Sequence, residues 1–427
     1  MAASSSLINA LTRASVLLLA VLVFSSTSEA CTPTWLDWLP NLVLDIFGGS
    51  CPAERARQTP TMSTTTNNEA EDQAKAVKLL LDMMEIDSTT TREAELADWL
   101  AARLESGGWT VLRQLVSENP RRVNLFATRQ QSSNRVGGPK LVLNSHLDTV
   151  PPYLAPSKDA DNVFGRGAND AKGQMAAMIT AAERVAQEDP ELAHDIALLF
   201  VVGEEVDHIG MTKANELGLL PDYLIVGEPT ELQFARLQKG ALKVRVKVTG
   251  RAGHSGYPEE GDSAVHRLVL VLHDLLAHQW PSDTRNGDTT LNVGLIEGGQ
   301  ALNAWAAQAH ADIFIRVTTN VQDARAHLDS VIAGRAEVET LGQNEPVHLT
   351  GSPFEDVNDT VVAFNTDIAY FKNYERSAGI FLLGPGSIKN AHSVREFMPI
   401  ADLGKAVVIL ARLIRHCLNA AAAADRR

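Results

Sequence analysis

Four short apolar runs in this chain end beside residue types that bind metals or move protons, and that order constrains the fold before composition does. Residues 141–144 run into Ser145-His146-Leu147-Asp148, residues 196–202 into Gly203-Glu204-Glu205, and residues 224–226 into Gly227-Glu228. The fourth run, residues 380–383, leads into Gly384-Pro385-Gly386, with His392 beyond it. In an open parallel α/β sheet, ligands bind outside the carboxyl ends of the strands, so side chains that follow buried strands converge in one crevice. The crevice implied here is rich in carboxylate and imidazole and poor in thiol. Such a site suits zinc first, and manganese or cobalt next.

Helical periodicity fills the gaps between the runs. Ala76, Leu79, Leu80 and Met83 recur at helical spacing, as do Leu96, Leu100 and Leu104, and a further helix is expected over about residues 173–187. The alternation predicts an α/β domain with a largely parallel sheet. Near Lys239 the pattern changes: Leu242, Val244, Val246 and Val248 alternate with Lys243, Arg245, Lys247 and Thr249, which marks a sheet with one face in water. Helical stretches over 264–278 and 321–332 and alternating runs over 289–296 and 309–317 complete an α+β module. At 427 residues the chain exceeds one ordinary core. The expected organisation is a catalytic domain over 71–238 and 346–427, closed by a helix over 401–420, with an inserted lid or dimerisation domain over 239–345.

The N-terminus reads as an export signal over residues 1–30. Arg13 supplies one positive charge, residues 16–24 are apolar, and small residues precede Ala30. The apolar run is too short for a permanent membrane anchor; the competing reading is an uncleaved interfacial helix or an organelle-targeting stretch. Residues 31–70 read as an extension and linker, because 52–70 are rich in Thr, Asn and Arg without an apolar period. Cys31 and Cys51 both lie in this extension, where an exported chain meets oxidising conditions, and a bond between them is expected. Cys417 sits in a helical pattern with Leu410, Leu413 and Ile414 and reads as a packed thiol. With 38 Lys and Arg against 52 Asp and Glu, the net charge of −14 lacks the basic footprint of a nucleic-acid partner.

The chemistry follows from residue types. His146 and Asp148 flank one residue at a strand end, where the carboxylate is placed to orient the imidazole; alone, such a pair arises often by chance. Asp170 lies in a Gly-bearing loop before a helix and would, by itself, be an ordinary N-cap. Glu204 and Glu205 are more telling, because two adjacent carboxylates at the end of a buried strand need a positive charge nearby. The bland alternative is a solvated loop start. Asp207 and His208 enlarge the acidic cluster, although the turn can place them outward. His392 alone would be a surface histidine; its place after a fourth strand draws it toward the same crevice.

These segments together with Asn169-Asp170-Ala171-Lys172-Gly173, Gly227-Glu228-Pro229-Thr230 and Ala391-His392 resemble the two-zinc exopeptidases and deacylases. That family includes acetylornithine deacetylase, succinyl-diaminopimelate desuccinylase, glutamate carboxypeptidase and aminoacylase. The resemblance spans roughly residues 71–420 and is strongest to exported fungal carboxypeptidase-like members. It implies two zinc ions bridged by Asp170, one completed by His146 and Glu228 and the other by Glu205 and His392, with cobalt or manganese as substitutes. It also implies that Glu204 is the general base and that Asp148 orients His146. His254, in Gly253-His254-Ser255-Gly256, would steady the oxyanion from the lid, often across a dimer. Asn303 and Arg316 would hold the substrate's backbone or carboxylate, and the Gly384-Pro385-Gly386-Ser387 loop would present backbone donors to a carboxylate. Ala171 stands where many relatives carry Met.

The expected function is therefore a secreted zinc hydrolase that cleaves an amide next to a free carboxylate, a carboxypeptidase acting on peptides. An N-acyl amino acid deacylase shares the chemistry, and a metal-binding protein without catalysis is the alternative from another class. Export favours the carboxypeptidase, because nutrient peptides lie outside the cell. The expected partners are a small peptide or N-acyl amino acid and a second copy of the chain through the inserted domain, with no stable membrane anchor.

Overall fold

The computed structural model describes residues 62–129 and 138–426, so the expected signal over 1–30 and both Cys31 and Cys51 lie outside the described residues. The central sheet is ordered Trp109–Glu118, Arg121–Arg129, Ile196–Val201, Leu141–His146, Tyr223–Val226, Gly379–Leu382. The last four strands run parallel, and the first two form an antiparallel hairpin at one edge. This is the mainly parallel α/β sheet that the apolar runs predict. Its strands are buried on both faces, and alternate residues divide between two cores. Leu141, Leu143, Leu198, Phe200 and Phe381 cluster with the helices Met62–Met84, Ala94–Ser106, Lys172–Glu188 and Ile400–Ala424. Val142, Leu199, Val201, Leu224 and Leu382 cluster instead with Met211, Ile368 and Phe371.

Register decides where the chemistry emerges. His146 lies opposite Val201, and Asn144 and Leu382 both pair with the strand Tyr223–Val226 at Val226. Four strands thus end at one level, so His146, Glu204-Glu205, Glu228 and the Gly384 loop share the carboxyl edge. Gly203 makes the turn there at φ +82°, and a Cβ on it would fall 2.7 Å from Asp207 Oδ1 and 2.8 Å from Arg122 Nη2. Arg122 is itself fixed by a buried pair with Glu93 at 2.7 Å. A side chain at position 203 would therefore meet a crowded wall in a backbone region that favours glycine.

A second, antiparallel sheet is ordered Thr290–Gly298, Gln308–Val317, Gly240–Thr249, Glu337–Asn344. Leu242, Val244, Val246, Val248, Ile313 and Ile315 form one core with the helices Ala264–Ala277 and Val321–Ile332. Lys243, Arg245 and Lys247 take the opposite face, where Arg245 pairs with Asp312 at 2.6 Å. Ser263 and Asn320 cap the two helices by accepting from the backbone N–H of His266 and Asp323.

Three departures from the sequence reading have physical causes. The first helix begins at Met62, so the linker expected through residue 70 is helical over its last part. Residues 68–70 are exposed, and burial starts at Asp72, so this turn of helix projects past the core and carries no apolar period. The hairpin strand Trp109–Glu118 was invisible because it is largely solvent-facing. A small sheet joins Phe234–Gln238 to Val347–His348 and to Asp359–Val362, pairings that bring together segments on either side of the insertion. Cys417 is buried, and its thiol is pushed up to about 12 by burial, which makes it an inert core residue.

Candidate metal centre

Asp170 is the hinge of the site. Its Oδ1 lies 3.0 Å from His146 Nε2, and its Oδ2 lies 3.4 Å from His392 Nε2. Each imidazole has a second carboxylate beside it: Glu228 Oε1 at 3.8 Å from His146 Nε2, and Glu205 Oε2 at 3.0 Å from His392 Nε2. Two donor groups therefore share one aspartate. Ligand atoms of His146, Asp170 and Glu205 lie within 4.8 Å of one another. Glu228 Oε1 is buried without a hydrogen-bond donor, an orphaned acceptor of the kind that a cation satisfies.

The electrostatics point the same way. Burial, the charges of Asp170, Asp367 and Glu205 push the Glu228 carboxyl well above its usual range, against the pull of His146. Glu205 is likewise raised, by burial first and by Asp170 next. Burial opposes ionisation of Asp170, yet His146 and His392 outweigh it and hold its carboxyl well below the usual range. Asp170 and Glu205 raise His392 to about 10. Burial works against protonated His146, but Asp148, Asp170 and Glu228 keep its pKa well above normal. In a protein without a cation, imidazolium stands in for the positive charge that these carboxylates require.

Glu204 lines the same cavity but is not one of the paired donors. Burial, followed by Glu228, pushes its carboxyl well above the usual range. Beside it, His208 is buried rather than turned outward. Its Nδ1 lies 2.9 Å from Asp367 Oδ1 and 3.9 Å from Glu204 Oε1, and its ring stacks on Tyr370 at 3.9 Å between centroids. Asp148 stands beside His146 and also reaches the next strand end. His146 Nδ1 meets the main-chain carbonyl of Asp148 at 2.9 Å, whereas the carboxylate Oδ1 stands 3.6 Å away. That carboxylate is taken up by the next strand end: Oδ1 accepts the N–H of Gly203 at 2.8 Å and of Glu204 at 3.1 Å, and Oδ2 accepts Thr90 Oγ1 at 3.0 Å. Asp148 thus ties the His146 strand to the Glu204-Glu205 turn.

A buried ion pair behind the cluster had no signal in the sequence. Arg166 and Glu396 meet at 2.6 Å and are 2 % and 1 % exposed. The other oxygen of Glu396 accepts the backbone N–H of Asn169 at 3.0 Å and of Asp170 at 3.1 Å. Arg166 also donates to the carbonyls of His392 at 3.5 Å and Ser393 at 3.3 Å. One pair therefore fixes both the Asp170 loop and the His392 loop.

The second sheet contributes a cationic wall. Arg316 and Lys243 line the cavity of the cluster, about 220 Å³ in volume, and flank Phe314, with Arg316 Cζ 3.9 Å and Lys243 Nζ 5.2 Å from its ring centroid. Burial lowers the Arg316 pKa. His254 and Asn303 are not brought to the cluster. Both are exposed on neighbouring loops of the second sheet's module, where His254 bridges Ala304 and the Ser255 N–H donates to the Asn303 carbonyl at 3.0 Å. The Gly384 N–H is engaged by Thr230 Oγ1 at 3.1 Å, so at that residue the glycine loop offers no free donor.

A crevice at the carboxyl edge of a parallel sheet, holding paired imidazoles and carboxylates around a shared aspartate, defines a metallohydrolase. Residues 142–416 match the model of Peptidase family M20/M25/M40. A Schizosaccharomyces pombe peptidase M20 domain-containing protein is 36% identical over 346 residues, covering 80% of this chain and 85% of the relative. An Aspergillus flavus protein named "Probable carboxypeptidase" is 34% identical over 404 residues, covering 84% and 92%. Among solved structures, a Staphylococcus aureus tripeptidase superposes with a TM-score of 0.67 at 23% identity, covering 81% of this chain and 99% of that one, and shares the fold. The chain belongs to the M20/M25/M40 peptidase family.

Proposed function

We propose that this chain is a secreted, zinc-dependent carboxypeptidase that hydrolyses the amide next to the free carboxylate of a peptide. The observation that carries this reading is the shared aspartate: the two oxygens of Asp170 face different imidazoles, each with its own second carboxylate. His146 and Glu228 would hold one divalent cation, Glu205 and His392 the other, with Asp170 common to both. Two such cations supply Lewis acidity that polarises a carbonyl and makes a water acidic near neutral pH. Glu204, free of the ligand pairs and raised in pKa, takes a proton from water and returns it to the leaving nitrogen. Arg316, a guanidinium with paired donors, receives the substrate carboxylate. Donors of imidazole and carboxylate without thiol favour zinc, with cobalt or manganese as substitutes.

Export is supported by the N-terminal sequence alone. His254 and Asn303, exposed on the lid, come into play after the lid closes or when a partner subunit's lid reaches over. The surface for such pairing is the edge strand Thr290–Gly298, which exposes Leu295 and Ile296. The experiment is elemental analysis of purified protein together with a panel of peptides and N-acyl amino acids. Two zinc ions per chain and chelator-sensitive release of the C-terminal residue are expected. Cleavage of N-acyl amino acids without peptides would make the enzyme a deacylase, and zinc without turnover on either class would remove catalysis from the reading.

A further inference from the structure

We propose that the cavity adjoining the metal cluster receives the side chain of the amino acid released by hydrolysis, and that it selects an apolar one. The proposal rests on the function argued above. Two cavities meet at Arg316. The first holds Asp170, Glu204, Glu205, Glu228 and His392; the second, of about 450 Å³, has an apolar wall of Pro229, Val361, Val362, Ala363, Phe364 and Ile388, with Thr230, Gln233 and Thr360 also lining it. Arg316, Phe364 and Ile388 line both. Pro229 directly follows Glu228 in the chain, so the apolar wall begins beside a carboxylate of the cluster.

Apart from Arg316, the charged side chains lining the second cavity are matched with each other. Glu231 and Lys389 pair at 3.1 Å, and Ser387 Oγ donates to the same glutamate at 2.6 Å. Neither offers an unpaired partner to a charged ligand. Arg316 differs: among the described residues it has no hydrogen-bond or ion-pair partner, only the face of Phe314 at 3.9 Å. A substrate carboxylate anchored on this guanidinium, with its amide carbonyl over the Asp170 cluster, leaves one substituent to place on the carbon between them. Of the space that borders Arg316, the first cavity takes the amide and the second takes the side chain. A charged side chain would lose hydration there without a partner, whereas an aliphatic or aromatic one gains by burial. The group across the scissile bond plays no part in this placement, so the same pocket serves a peptide's C-terminal residue and an N-acyl amino acid alike.

The test compares kcat/KM of the zinc-loaded protein on N-acetyl and N-glycyl derivatives of glycine, leucine, phenylalanine, aspartate and lysine. Leucine and phenylalanine should exceed the other three by about 10- to 100-fold, the range that burying one such side chain provides. Val361→Trp, which fills the second cavity from outside the cluster, should collapse the leucine-to-glycine ratio while zinc content stays at the wild-type level. Ala363→Phe, from an exposed position on the same wall, serves where Val361→Trp does not fold. A preference for charged residues, equal rates for all five, or an apolar preference that survives both fillings overturns the pocket and leaves the carboxypeptidase reading standing. If nothing is hydrolysed, the functional reading fails separately, and calorimetry on zinc-loaded Glu204→Gln decides the pocket. Tighter binding of N-acetyl-leucine than of N-acetyl-aspartate supports it; equal or absent binding overturns it.

Discussion

Replacing Glu396 by glutamine tests whether the Arg166–Glu396 pair organises the metal centre or merely fills space. The substitution keeps the shape and can still accept from the backbone N–H of Asn169 and Asp170, but it leaves the Arg166 guanidinium buried without a counter-charge. With the pair only 2 % and 1 % exposed, breaking it should destabilise the chelator-treated protein by about 3–5 kcal/mol. Zinc affinity should fall as well, by about 10- to 100-fold, the usual cost of losing groups that orient ligands from behind. The double variant Arg166→Met with Glu396→Gln separates the two effects. Removing both charges should restore much of the stability measured by urea unfolding, since an apolar replacement of a buried pair is often close to neutral. It should not restore zinc affinity in a chelator competition, because Arg166 no longer reaches the carbonyls of His392 and Ser393. If the double variant recovers affinity along with stability, or if Glu396→Gln binds zinc like wild type, the pair is packing and the reasoning is wrong.

Glu204→Gln should retain zinc while turnover drops about 10²- to 10⁴-fold, and it should raise the melting temperature of the metal-free protein, because burial and Glu228 disfavour the charge it removes; loss of zinc in this variant would make Glu204 a ligand. The pH dependence of stability should depend on metal. His392, raised to about 10, stabilises the metal-free fold fully below its ordinary pKa and less as pH climbs through that window. Glu204 and Glu228, raised in the fold, also cost stability as pH rises above their ordinary range. Metal needs His392 and Glu228 deprotonated, so the gain in Tm on adding zinc should grow from about pH 6 to about pH 9; a flat or falling gain refutes the site. Ile296→Lys, at an exposed position of the lid's edge strand, should convert a dimer to a monomer in light scattering, and an unchanged dimer would place the interface elsewhere. If His254 acts across that dimer, mixing inactive His254→Ala with inactive Glu204→Gln should restore part of the activity, and no recovery despite proven subunit exchange would confine His254 to its own chain.

What the sequence reveals here is what strands and their ends reveal. Leu141–His146, Ile196–Val201, Tyr223–Val226 and Gly379–Leu382 are continuous apolar runs because both faces of the sheet are covered, so their ends, and with them His146, Glu204, Glu205 and Glu228, were legible as one crevice. Asp170 stands on a loop and only the resemblance assigned it to the cluster, whereas the place of His392 after the fourth strand drew it there. Asp148 lies beside the imidazole and is also bound to the Glu204 turn, with its main-chain carbonyl nearest His146 Nδ1, a distinction between backbone and side-chain acceptors that residue spacing does not carry.

Arg166, Glu396 and Asp367 were missed, and His208 was read as a residue that the turn can place outward, for a common reason. Each does its work through a partner that no local pattern announces: Asp170 and Glu396 are 226 residues apart, and His208 and Asp367 are 159 apart. Such pairs arise only when two crossings of the same sheet edge are brought together, and the inserted domain separates them in the chain without separating them in space. The cluster draws on both segments, because His146, Asp170, Glu205 and Glu228 precede the insertion and His392 follows it. Truncation after the insertion would therefore remove Glu396 together with His392, leaving the Asp170 loop without the acceptor of its backbone N–H groups. The cluster needs both segments in place, so zinc binding during refolding should appear no earlier than burial of the final helix Ile400–Ala424 against the helices Met62–Met84 and Lys172–Glu188.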